Sequence, residues 1–65
     1  MMVRINNKSV DLPPNANLAD ALRVAGAVPP FAAALNMQFV PNSQYAQTPL
    51  RANDIIEIIR PVTGG

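Results

Sequence analysis

Ile55-Ile56-Glu57-Ile58-Ile59-Arg60 is the strongest strand signal in the chain. Isoleucine is β-branched and fits a pleated surface. The two-residue period of a strand puts Ile56 and Ile58 on one face and Ile55, Glu57 and Ile59 on the other. A strand with isoleucines on both faces belongs in the middle of a sheet, not at an edge. The remaining segments must supply its neighbours and cover one of its faces.

The N-terminus supplies the first neighbour. Positions 1, 3 and 5 are apolar and Arg4 is charged, which predicts a half-buried strand over Met1–Ile5. Asn6-Asn7-Lys8 is a turn, because asparagine tolerates positive φ. Ser9-Val10-Asp11-Leu12 alternates again with Val10 and Leu12 inward, so the pair reads as a hairpin. Pro13-Pro14 ends it, since neither proline can donate to a ladder.

The cover comes next. Leu18, Ala21, Leu22 and Ala25 recur at i, i+3, i+4 and i+7, one face of a helix roughly ten residues long. Asn17 is a good N-cap, Asp20 suits the first turn, and Gly26 suits C′. With a single apolar stripe this helix must pack on a sheet. Ala27-Val28-Pro29-Pro30 is a linker. The alanine-rich Phe31–Leu35 could be helical by propensity, but the prolines before it and Asn36 after it favour a short strand. Phe39-Val40 follows, then one tight helical turn over Ser43–Ala46. Leu50 returns to the core, and Ala52-Asn53-Asp54 is the last turn, with Asn53 at positive φ. The order predicts an α+β fold of the β-grasp type. It has a mixed sheet of roughly four or five strands, one helix packed across it, and the terminal strand beside the first. Residues 1–60 form the domain and 61–65 a tail ending in Gly64-Gly65.

Composition removes most chemistry. Sixty-five residues make one domain with no cysteine and no histidine. Disulfides, thiolate metal sites and imidazole catalysis are excluded. Five basic against four acidic residues is too slight an excess for a nucleic-acid footprint. No stretch suits a membrane span and the N-terminus is not a signal peptide, which with the lack of cysteine points to the cytoplasm. Asp11, Asp20, Asp54 and Glu57 fall on four different elements and read as surface charge. Lys8 shows no sign of activation, and Tyr45 reads as a packing lid. No glycine-rich loop would cradle ATP. No catalytic residue and no metal set emerges, so the chain is expected not to be an enzyme by itself.

The Gly65 carboxylate remains. Gly-Gly alone is a weak motif, and terminal glycines are often only frayed chain. A carboxylate passes on its acyl group only after activation, usually by a partner enzyme that joins it to the α-phosphate of ATP. A tail of glycines, lacking Cβ, can enter the narrow channel such chemistry needs. Ile55, Glu57 and Ile59, with Met2 and Arg4 beside them, form an outward face that could dock a partner. The alternative is that they are ordinary exposed residues.

The chain resembles the ThiS family, ubiquitin-like β-grasp sulfur carriers of thiamin biosynthesis. The resemblance is carried by Met1–Asn6, Asn17–Leu22, Ala34-Leu35-Asn36, Phe39-Val40-Pro41, Ser43–Ala46, Thr48-Pro49-Leu50, Asn53–Ile58 and Gly64-Gly65. Tyr45 stands where the family often has tryptophan, and Asn53 where it often has glycine. The resemblance implies that Gly65 is the adenylation and thiocarboxylate site, Gly64 gives steric clearance, and Pro61, Val62 and Thr63 form the stem that threads a partner. It implies a ThiF-like adenylating enzyme using ATP and magnesium, a cysteine-desulfurase sulfur relay, and thiazole synthase as partners, with no cofactor on this chain. The small subunit of molybdopterin synthase shares this tail logic. A non-catalytic β-grasp interaction module is the alternative of another class.

Overall fold

The structure, a computed structural model, describes residues 1–61; Val62, Thr63, Gly64 and Gly65 lie outside the described residues. β1 (Met2–Ile5) and β2 (Lys8–Asp11) form the first hairpin, followed by α1 (Leu18–Val24). β3 (Ala32–Leu35) and β4 (Gln38–Val40) form the second, followed by a 3₁₀ segment (Asn42–Gln47) and β5 (Ile55–Ile59). The five strands lie in the order β2-β1-β5-β3-β4. β5 runs parallel to β1 and antiparallel to β3, so the isoleucine strand is central in a mixed sheet. This is the expected β-grasp arrangement.

Asparagine chemistry sets both hairpins. Asn6 and Asn7 hold φ of 48° and 68°, and Asn36 and Met37 hold 50° and 71°. Two-residue connections whose central residues both have positive φ match the twist of the flanking strands. Because the first turn uses only Asn6 and Asn7, Lys8 pairs with Ile5 as the first residue of β2 rather than sitting in the turn. β2 accordingly spans Lys8–Asp11, not the expected Ser9–Leu12, and β1 begins at Met2, not Met1. Asn53 has φ 72°, as expected of the last turn.

The helix is shorter than its sequence suggested. It has seven residues rather than about ten, and it buries Leu18, Ala21 and Leu22. Ala25, expected on the buried stripe, is instead the exposed C-cap, because Gly26 at φ 72° turns the chain away one residue later. At the other end Asn17 and Asp20 form a reciprocal capping box: Asn17 Oδ1 accepts the Asp20 N–H at 2.9 Å and Asp20 Oδ2 accepts the Asn17 N–H at 3.0 Å.

Leu18, Ile56 and Val3 are the largest fully buried side chains, joined by Ile5, Leu12, Ala33 and Leu50. The Thr48–Leu50 segment is stitched to the helix start, with Leu18 N–H donating to Thr48 O at 2.9 Å and Leu50 N–H to Ala16 O at 3.1 Å. Tyr45, half-buried, stacks on Phe31 with ring centroids 6.0 Å apart, closing that end of the core as a lid.

Candidate docking face and tail base

β5 presents two faces with different fates. Ile56 and Ile58 turn toward α1, and Ile56 is fully buried. Ile55, Glu57 and Ile59 turn to the uncovered side and are exposed. Arg4 lies opposite Ile55 in the parallel register, and Met2 sits two residues earlier on the same face of β1. The structure therefore brings together all five residues expected to form the outward face. Met2, Ile55 and Ile59 are each close to half exposed. Neither Arg4 nor Glu57 joins an ion pair among the described residues.

Phe39 was missing from that expectation. It is 73% exposed and lies opposite Ala34, which in turn lies opposite Glu57, so it extends the same face across β3 and β4. Val40 is half-buried on the core side. The period of two in Gln38-Phe39-Val40 would have turned Phe39 outward, and that signal was available in the sequence. Ala34 is 6% exposed although it faces this outer side and not the helix-side cluster. A small residue between Phe39 and Glu57 makes a shallow floor flanked by larger side chains.

The strand that leads to the tail is held at both ends by side-chain amides. At its start Asn36 Oδ1 accepts the Ile55 N–H at 2.9 Å. Near its end Asn6 Oδ1 accepts the Ile58 N–H at 2.8 Å, and Asn6 Nδ2 donates to Ile58 O at 3.4 Å. Both asparagines read as turn residues in the sequence, and these second roles were missed. Beside Asn6 a groove of about 660 Å³ opens between the helix end, at Val24 and Ala25, and the first hairpin, at Lys8 and Val10. Ile58 and Arg60 also line it.

Beyond β5, Arg60 and Pro61 are exposed. The expected reactive and threading residues Gly65, Gly64, Thr63 and Val62 lie outside the described residues. Asp11, Asp20, Asp54 and Glu57 sit on separate elements. Among the described residues there is no acidic, histidine or cysteine cluster that could hold a metal ion, and no helix is long and apolar enough to cross a membrane.

Comparison with known proteins decides the family. The model of the ThiS family matches residues 3–65, nearly the whole chain. The chain belongs to the ThiS family. That family comprises small ubiquitin-like sulfur carriers of thiamin biosynthesis, and membership gives the chain that functional class. The fold has solved relatives. A crystal structure of the thiamine biosynthesis protein ThiS from Geobacter metallireducens superposes with a TM-score of 0.82 at 17% identity, covering all of both chains. A solution structure of a thiamine biosynthesis protein from the same organism gives 0.80 at 19%, covering all of this chain and 88% of that one. At such identities the likeness speaks for the fold alone. Comparison with curated proteins finds no match.

Proposed function

We propose that the Gly65 carboxylate is the group on which this chain carries sulfur. The observation that carries the proposal is the family match, which runs through Gly64-Gly65. A partner adenylating enzyme joins the carboxylate to the α-phosphate of ATP, with magnesium neutralising the phosphates, and pyrophosphate leaves. The terminal sulfur of a cysteine-desulfurase-derived persulfide then attacks the acyl-adenylate, and AMP leaves. A second thiol cleaves the acyl disulfide so formed, becoming a disulfide with the relay cysteine and freeing a thiocarboxylate, from which thiazole synthase takes the sulfur atom. The chain itself supplies position rather than catalysis.

Each part of the chain has a task in that scheme. Ile56, buried under α1, anchors the strand that carries the tail. Met2, Arg4, Ile55, Glu57 and Ile59, together with Phe39, form the docking face. Its apolar side chains share the face with two charges of opposite sign, Arg4 and Glu57, that a partner of complementary pattern would match. Pro61, Val62 and Thr63 form the stem, and Gly64 gives the clearance that a side chain would block. The carrier works in the cytoplasm, where its enzymes and ATP are found.

Genetic complementation tests this reading. The chain should restore growth without thiamin to a strain lacking its own thiazole sulfur carrier, and a variant lacking Gly65 should not. Restoration by the Gly65-deleted chain would overturn the carrier role. Rescue of a molybdopterin-deficient strain in place of the thiamin one would overturn the pathway.

A further inference from the structure

The strand leading to the tail outruns its neighbour. β1 ends at Ile5 and the chain turns at Asn6 and Asn7, whereas β5 continues to Ile59. Alternate residues of a central strand direct their peptide groups to opposite neighbours. Ile56 faces the β1 side, where its carbonyl accepts the Asn6 N–H at 3.0 Å. Ile58 faces the same side two residues later, and there β1 has no strand residue to offer. The Asn6 side chain occupies that place, accepting the Ile58 N–H at 2.8 Å and donating to its carbonyl at 3.4 Å. A carboxamide carries the donor and acceptor of a peptide group. One residue thus makes the hairpin turn with its backbone and extends the ladder with its side chain.

We propose that Asn6 is a positioning residue for the chemistry at Gly65, setting from the β1 side, opposite β3, which pairs with the strand as far as Ile59, the direction in which the chain leaves the sheet. The proposal rests on the carrier function above. Its physical basis is leverage. Drawn out in a partner's channel, each residue spans at most about 3.5 Å. Over the residues from Ile59 to Gly65 that makes an arm of roughly 20 Å, so a tilt of about 15° at the strand end moves the carboxylate by roughly 5 Å. Misplacement of a reacting group by as little as about 1 Å can cost on the order of a hundredfold in rate. Both Asn6 side-chain bonds are exposed, so water competes with them in the free chain. A partner seated on the outer face would exclude that water and tighten them.

A purely structural role for Asn6 makes a different set of expectations, and Asn6→Gly separates the two. Glycine keeps the left-handed turn at no steric cost and removes only the side-chain bonds. The experiment measures pyrophosphate release by a cognate adenylating enzyme against carrier concentration, with hydrogen exchange of the Ile58 amide on the same samples. For Asn6→Gly the Ile58 amide should lose protection and kcat should fall by about 10-fold or more, while KM stays within about twofold because the docking face is untouched. Asn6→Asp keeps the acceptor for the Ile58 N–H and loses the donor, so it should recover part of kcat. Wild-type kcat in Asn6→Gly with an unprotected Ile58 amide would overturn the positioning role. An Ile58 amide still protected in Asn6→Gly would overturn the clamp itself. A wild-type chain that is never adenylated would overturn the carrier reading and the positioning role with it, and the Ile58 protection would still report on the clamp.

Discussion

Asn36 grips Ile55 in both directions: its backbone N–H donates to Ile55 O at 2.7 Å, and its side-chain oxygen accepts the Ile55 N–H at 2.9 Å. Its Nδ2 also donates to Asp54 Oδ1 at 3.0 Å, and Asp54 Oδ2 accepts the Arg51 N–H at 2.7 Å. The turn after β3 therefore locks the last turn of the chain and the entry to β5 together. Asn36→Gly keeps the positive φ and deletes both side-chain bonds, so it should cost about 1–2 kcal/mol. Urea denaturation of the two chains checks this, with an unchanged midpoint counting against the lock.

Met37 is 87% exposed and sits at φ 71°. A side chain there strains the backbone and buries almost nothing in return. Met37→Gly should raise stability by about 0.5–1 kcal/mol, seen as a higher thermal midpoint.

Asn17 closes the helix and also reaches the 3₁₀ segment, donating through Nδ2 to Ala46 O at 3.2 Å. Asn17→Ala loses that bond and the cap on Asp20, and should lower stability by about 1–2 kcal/mol. Asn17→Asp keeps the cap and should recover most of the loss in the same thermal scan.

Ile59 and Phe39 lie on the outer face, whereas Val24, 61% exposed, stands on the helix. Ile59→Ser and Phe39→Ser should each weaken binding to the adenylating enzyme about 10-fold or more, with little change in stability. Val24→Ser should leave binding within about twofold, since its site is on the opposite layer. Arg4→Glu should chiefly slow association and alter its dependence on salt. Calorimetry and stopped-flow binding read these out, and a uniform effect of all four changes would contradict a localised docking face.

The sheet order was legible because the Ile55–Ile59 run carries isoleucine on both faces, which only a central strand accommodates. The left-handed conformation of Asn53 was legible from turn chemistry. The second roles of Asn6 and Asn36 were not. A turn signal reports a residue's own backbone, and the partner of the Asn6 amide lies 52 residues away in sequence. The helix end was misjudged because the i+7 spacing placed Ala25 on the buried stripe, although Gly26 at C′ already made Ala25 the cap. Phe39 could have been placed by alternation, but a strand of three residues carries little period to read. Met2, Arg4, Ile55, Glu57 and Ile59 were grouped correctly on one face because strand alternation and the β1–β5 pairing are the same inference made twice. The tail residues Val62 to Gly65 are known here only by their chemistry.

The most direct test acts on the Gly65 carboxylate itself. The chain is incubated with a cognate adenylating enzyme of demonstrated activity, ATP, magnesium, a persulfide sulfur donor and a thiol reductant, and its intact mass is then taken together with fragment masses of the C-terminal peptide. The expected result is a gain equal to replacing one oxygen by sulfur, confined to Gly65 and absent without ATP. An unchanged mass under those conditions, or a sulfur atom found elsewhere in the chain, would contradict the carrier function.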